Sequence, residues 1–224
     1  MIPGAGYSRR VNESHQLLVS VSKHLYVLKS GAVTYQKKAM DVNLKNYRHT
    51  GREHILHYIV RDEASRMMYV ELHDGSHPSP IMDFLCRAWK SKYNFYFEGM
   101  PRFLSVPDTI YAEELGLSLD ELGITPTKPE SGFRAGVRGV RLWEEALTWF
   151  ALHYPGIRNF AELRHYTEYL ADELNTYDQA RIGLWESHEI SKRFPPPEMI
   201  VPYCQQRIPV DPLAFSPSAG RNLS

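Results

Sequence analysis

The sequence predicts a single α/β domain with appended segments. Two observations lead there: runs rich in β-branched and aromatic residues with turn chemistry between them, and stretches whose apolar residues recur every three or four positions. The two kinds of segment alternate along the chain, as layers of helix on sheet require.

Taken in order, residues 1 to about 15 read as a flexible arm. LLVSVSKHLYVL then begins the strand-like sequence. AVTYQKKAMD follows and closes at Asp41, with the polar stretch NLKNYRHTGR after it. HILHYIVRDEASRMMYVELHD reads as two β runs around a tight Asp-Glu-Ala-Ser turn, which Asp62 and Glu63 cap. In PIMDFLCRAWKSKY, Ile81, Leu85, Ala88 and Trp89 fall at helical spacing, and Pro80 suits a first helical position. PRFLSVPD is strand-like and closes at Asp108. A helical stretch with a small-residue hinge (YAEELGLSLDELG), a strand-like GITPT and a loop holding Gly132, Gly136 and Gly139 lead to Glu144, which opens the helical run LWEEALTWF. Val140, Trp143, Leu147, Phe150 and Tyr154 form its inward face. A further helix is expected from Asn159, an N-cap with Glu162 three residues on, burying Leu163, Tyr166, Leu170, Leu174 and Tyr177. Seven of the fifteen prolines fall in the last 31 residues, an extended tail. The expected division is an arm and lead-in strand over 1–30, a core over 31–155, a helical extension over 156–193 and the tail over 194–224.

Composition narrows the class. With 43% hydrophobic and 23% charged residues among 224, the chain has an ordinary globular balance. Cys86 and Cys204 are isolated, so neither a Cys-x-x-Cys site nor a secreted disulfide framework is in view, and a reducing compartment is the default. No run of 18 apolar residues and no signal-type stretch is present, so the expected location is cytoplasmic, at the nucleoid in a bacterium, with no membrane partner. The sequence has no Gly-x-Gly-x-x-Gly, Walker loop or Gly-x-Ser-x-Gly to support nucleotide-binding or serine-hydrolase chemistry. His54, His57, His73 and His77 have metal-capable spacing, but 54 and 57 point to opposite faces of a strand.

Three acids at element ends, Asp41, Asp108 and Glu144, with 35 residues between the last two, suggest phosphate chemistry. Two Mg²⁺ or Mn²⁺ ions about 4 Å apart can activate a nucleophile and neutralise a scissile phosphodiester, and hard cations take oxygen ligands. Charge distribution fits a nucleic-acid partner although the net charge is zero. Residues 1–52 carry nine Lys or Arg against Glu13 and Asp41, a surplus of seven, and Lys128, Arg134, Arg138 and Arg141 cluster just before Glu144. Phosphate binding depends on where cations sit, because counterions are released locally.

This order of elements resembles the catalytic core of the retroviral integrase superfamily, which includes many bacterial transposases. VRDEASR is similar to that family's turn between its second and third strands, FEGMPRFLSVPD to the strand delivering the second Asp, and the resemblance spans roughly residues 33 to 153. It implies a ribonuclease-H-like fold: a five-stranded mixed sheet, three antiparallel strands followed by two parallel ones, flanked by helices. It also implies a DNA strand-transfer enzyme, with Asp41, Asp108 and Glu144 as catalytic metal ligands; Glu145 is the neighbouring alternative to Glu144. Thr109 and Ile110 follow Asp108 where the family commonly has Asn-Gly, and GVRLWEE stands where it has Gly-x-x-x-Glu-Arg. Two alternatives therefore accompany the lead: a catalytically silent relative that holds DNA or a partner recombinase, and a structure-selective nuclease. Double-stranded DNA is the expected ligand, with other subunits or a separate recognition domain choosing the sequence.

Overall fold

The computed structural model describes residues 11–90, 92, 97–128, 134–154 and 156–182, with side chains undescribed at 134–138 and 176–182. Strand β1 (Ser14–Val27) is the longest and lies at the centre of a mixed sheet. On one side it pairs antiparallel with β3 (Glu53–Asp62), which pairs antiparallel with β4 (Met68–Asp74). On its other side, β5 (Phe103–Ser105) runs parallel to Ser14–Gln16, and β6 (Thr125–Thr127) runs parallel to β5. A short β2 (Val33–Tyr35) pairs antiparallel with Leu25–Val27. The spatial order is β4-β3-β1-β5-β6, with β2 on β1.

Helices cover both faces, which is why β3 is buried along nearly its whole length. Helix α1 (Ile81–Trp89) packs on the side where Tyr58 and Tyr69 meet Phe84. Helix α2 (Glu113–Glu121) connects β5 to β6. On the opposite face, α3 (Arg134–His153) lays Trp143, Leu147 and Phe150 on the sheet, all buried. Helices α4 (Phe160–His165) and α5 (Thr167–Ile182) follow. Asn159 caps α4 in a full capping box with Glu162, as the sequence predicts. Leu163, Leu170 and Leu174 are buried as expected, while the side chain of Tyr177 is outside the described residues.

Five expectations are revised. The sheet has six strands instead of five, because the lead-in segment joins it as β1. AVTYQKKAMD supplies only the three strand residues of β2, since past Tyr35 it keeps only single backbone bonds to β1, from Gln36 to His24 and from Met40 to Lys23, where β1 is irregular, and Asp41 lies in a loop. The sequence placed β1 outside the core, yet it is the central strand. The loop expected around Gly136 and Gly139 is helix: α3 starts by Arg134, and Glu144 is its eleventh residue instead of lying in its first turns. A Cβ at Gly139 would lie 3.4 Å from Cδ of Arg61, an ordinary van der Waals contact, so α3 passes beside Arg61 of β3 there. Finally, the helix from Asn159 is broken at Tyr166 into α4 and α5. The tail over 194–224 is outside the described residues. No described helix is long and apolar enough to cross a membrane.

Candidate functional site

Alternation along β1 and β3 turns Ser20 and His57 toward α3, and the register sets them directly opposite each other. Trp143 and Glu144 of α3 come down on this pair. Glu144 Oε1 is 3.6 Å from His57 Nδ1, Ser20 Oγ is 3.4 Å from the same nitrogen, and the Trp143 ring stands edge-on to the imidazole at 6.5 Å. His57 is fully buried, and burial pushes its imidazole down to about 3, so it is neutral. Burial pushes the Glu144 carboxyl up to about 6, against the opposing pull of Lys23 and His24. The Lys23 ammonium donates to the Val42 carbonyl.

This cluster differs from a nucleophilic triad in one decisive respect. A serine nucleophile needs the imidazole nitrogen opposite the one its acid holds, whereas Ser20 and Glu144 address the same Nδ1. His57 Nε2 and Trp143 Nε1 are buried with no hydrogen-bond partner among the described residues. One is an acceptor and the other a donor, which suits a bridging water.

The other sequence-predicted residues lie elsewhere. Asp41 is exposed in the loop after β2, where the N–H of Met40 donates to the Lys23 carbonyl at 2.8 Å and Asn46 Nδ2 donates to the Asp41 carbonyl. Asp108 is exposed beyond β5, its carboxylate 3.2 Å from the Lys128 ammonium. Both acids flank the same edge of β1. Their backbone anchors on it are Gln16, opposite Ser105, and Lys23, whose carbonyl accepts the Met40 N–H. Among the described residues no three His, Cys, Asp or Glu side chains are grouped as a metal ion needs. Asp41, Asp108 and Glu144 are thus not brought together into one donor set, and the immediate partner of Glu144 is the His57 imidazole. Glu145 faces solvent and pairs with Arg141 at 2.8 Å. Of the expected DNA-binding group, Lys128 and Arg141 are exposed; the side chains of Arg134 and Arg138 are outside the described residues.

Sequence reasoning missed Ser20 and weighed His57 only for its spacing from His54. Those two histidines do lie on opposite faces: His57 faces α3, while His54 meets Thr50 Oγ1 at 2.5 Å. No local signal sets Ser20 apart, since β1 also carries Ser14, His15, Gln16, Ser22, Lys23 and His24. No protein-family model matches this chain, and no curated protein sequence matches it.

Proposed function

We propose that this chain is a ribonuclease-H-like core of the integrase and transposase kind that holds DNA or a partner recombinase and does not itself transfer strands. The strand arrangement supports the fold: three antiparallel neighbours, β1, β3 and β4, then two strands parallel to β1, with α3 across the β1–β3 surface. One observation carries the functional choice. The acid on α3, Glu144, meets a buried neutral His57 on the central strands, beside which Ser20 stands, where two-metal chemistry needs further carboxylates. The basic excess over residues 1–52 supports a phosphate-bearing partner.

The second reading is the two-metal strand-transfer enzyme, with Mg²⁺ or Mn²⁺ held by Asp41, Asp108 and Glu144. It is favoured by the placement of Asp41 and Asp108 along one edge of β1, the strand over which Glu144 lies. Incubating the chain with labelled double-stranded and branched DNA in Mn²⁺ distinguishes the readings. Binding without cleavage or joining is expected. Joining that Asp41→Asn or Asp108→Asn abolishes would establish the enzyme, and cleavage of branched DNA without joining would establish a structure-selective nuclease.

A further inference from the structure

One corner of the sheet carries cations that the fold leaves unpaired. Residues 28–53 run from the β1–β2 hairpin through β2 and the loop after it to the first residue of β3. They hold Lys29, Lys37, Lys38, Lys45, Arg48 and Arg52 against Asp41 and Glu53, an excess of four positive charges. All eight residues are exposed. None of the six cations forms an ion pair with a carboxylate among the described residues, whereas Lys128 and Arg141 both do.

The fold gathers these residues. Backbone bonds from Gln36 to His24 and from Met40 to Lys23 hold the loop after β2 against β1. Arg52 reaches that loop from the β3 side: its guanidinium lies over the Tyr26 ring at 4.9 Å and donates to Gln36 Oε1 at 2.9 Å. The Gln36 amide in turn donates to the Lys38 carbonyl at 2.9 Å, so Arg52 and the Lys37–Lys38 pair meet at one side chain. The turn that follows is tied back by Asn46 Nδ2, which donates to the Asp41 carbonyl at 3.2 Å, and it presents Lys45 and Arg48. Arg48 rests on the buried Tyr47 ring at 5.6 Å and donates its Nε to the Tyr47 hydroxyl at 3.0 Å. Each guanidinium is thus held by a tyrosine while keeping terminal N–H groups with no partner among the described residues. The corner also adjoins α3, because Lys23 and His24 are the charges that act on the Glu144 carboxyl.

Cations held together without carboxylates repel one another, and a polyanion that touches several at once relieves this while releasing its own condensed counterions. Arginine's planar fork matches a phosphate through two parallel bonds, and resting on a tyrosine ring fixes that fork before the partner arrives. Fixed forks suit a stiff chain of phosphates better than a fluid lipid surface or a flexible acidic peptide, whose charges adjust to any basic patch. We infer that this corner carries the phosphate backbone of double-stranded DNA on Lys37, Lys38, Arg48 and Arg52, and that the duplex continues past β1 to Arg141 on α3. The inference rests on the proposed function and names the surface that meets the DNA.

Salt titration of the full chain tests it. Fluorescence anisotropy of a labelled duplex of about 20 base pairs, in EDTA and between about 50 and 200 mM salt, gives the log–log slope of affinity against salt. Lys37→Ala with Lys38→Ala should lower that slope by up to about two, and Arg48→Ala by about one, since each lost phosphate contact removes about 0.9. Lys37→Arg with Lys38→Arg should keep the wild-type slope, and so should Lys90→Ala, which removes an exposed lysine at the end of α1. Polyglutamate of matched charge and vesicles containing phosphatidylserine should compete at least about tenfold less well than unlabelled duplex. A wild-type slope in the lysine double variant would overturn this surface and leave the proposed function standing. Polyglutamate or vesicles that compete as well as duplex would assign the corner to an acidic protein or a membrane instead. If wild type binds no duplex at all, the DNA half of the proposed function falls and this inference falls with it.

Discussion

Trp89 donates its indole N–H to His15 Nδ1 across 3.2 Å, and both rings are buried. The proton of neutral His15 must then be on Nε2, which donates to Asn12 Oδ1 at 2.9 Å. The Asn12 N–H in turn donates to Asp62 Oδ1, and the Ser65 N–H to Asp62 Oδ2, so β1, α1 and the β3–β4 turn are joined through one neutral imidazole. A second proton on His15 would set an N–H against the indole N–H. Burial accordingly pushes His15 down to about 3.

Acid sensitivity follows from that displacement. The folded-state value lies below the unfolded value of about 6.5, so the stability His15 contributes is fully present above about pH 6.5 and is lost as pH falls toward 3. By pH 4 the loss is on the order of 3 kcal/mol. Asp62, whose carboxyl burial raises, acts in the opposite sense, losing stability as pH rises through its folded value. His15→Gln keeps one donor and one acceptor without titrating, and so isolates the histidine. Urea unfolding of both proteins from pH 4 to 7 should show wild type losing about 2–3 kcal/mol more than the variant; parallel pH profiles would refute the assignment.

Asn175 makes a second prediction. Asn175→Ala strips both bonds from the Met68 peptide group and should cost about 2 kcal/mol, the scale of buried peptide groups left unmade. Asn175→Asp keeps the acceptor but replaces the donor to the Met68 carbonyl with a second oxygen, and should fare no better. A change below about 0.5 kcal/mol in denaturant titration would mean that water replaces the amide at no loss.

Local chemistry in the sequence carried the parts of the fold that were legible. The Asp-Glu-Ala-Ser turn and the Asn159–Glu162 box are read from residues within four positions of one another, and both form. The start of α3 was not legible, because Gly136 and Gly139 signal a loop locally, whereas the helix they join is held by burial of Trp143, Leu147 and Phe150 on the sheet. Glu144 was singled out for its spacing from Asp108. Its partner His57 and the Ser20 beside that histidine come from two strands and lie 37 positions apart in sequence, and only the β1–β3 register sets the two opposite each other. Asp41 was misplaced for the same reason: its segment borders β1, but forms strand only over Val33–Tyr35, with single backbone bonds from Gln36 and Met40 beyond it.

Gly75 sits where the chain leaves β4 and is held by its neighbours more than by its own conformation. A Cβ there would lie 2.9 Å from the His54 carbonyl oxygen and 3.1 Å from the Tyr47 ring. The ring can shift, but that carbonyl is fixed by the Gly75 N–H it accepts at 2.8 Å. Gly75→Ala should therefore destabilise by about 2 kcal/mol, in the usual range for overpacking, which corresponds to a fall of about 4–8 °C in Tm for a chain of this size. An unchanged melting temperature would show that the β4 exit relaxes freely.

The last prediction concerns DNA and the basic group before Glu144. Arg141 is paired with Glu145 at 2.8 Å and Lys128 with Asp108 at 3.2 Å, but all four side chains are mostly exposed. Exposed ion pairs contribute little, so a phosphate can take either cation from its carboxylate. Double-stranded DNA should then bind with little sequence preference and with an affinity that falls steeply between about 50 and 200 mM salt. Replacing Arg138 and Arg141 together by Ala should lower the log–log salt slope by up to about two, and Lys128→Ala by about one, since each lost phosphate contact removes about 0.9. Neither change should need Mn²⁺ to be seen, because phosphate pairing with these cations does not use the carboxylates of a metal site. A slope that stays constant in the double variant would mean that these arginines do not touch phosphate, and the DNA half of the proposed function would give way to the protein-partner half.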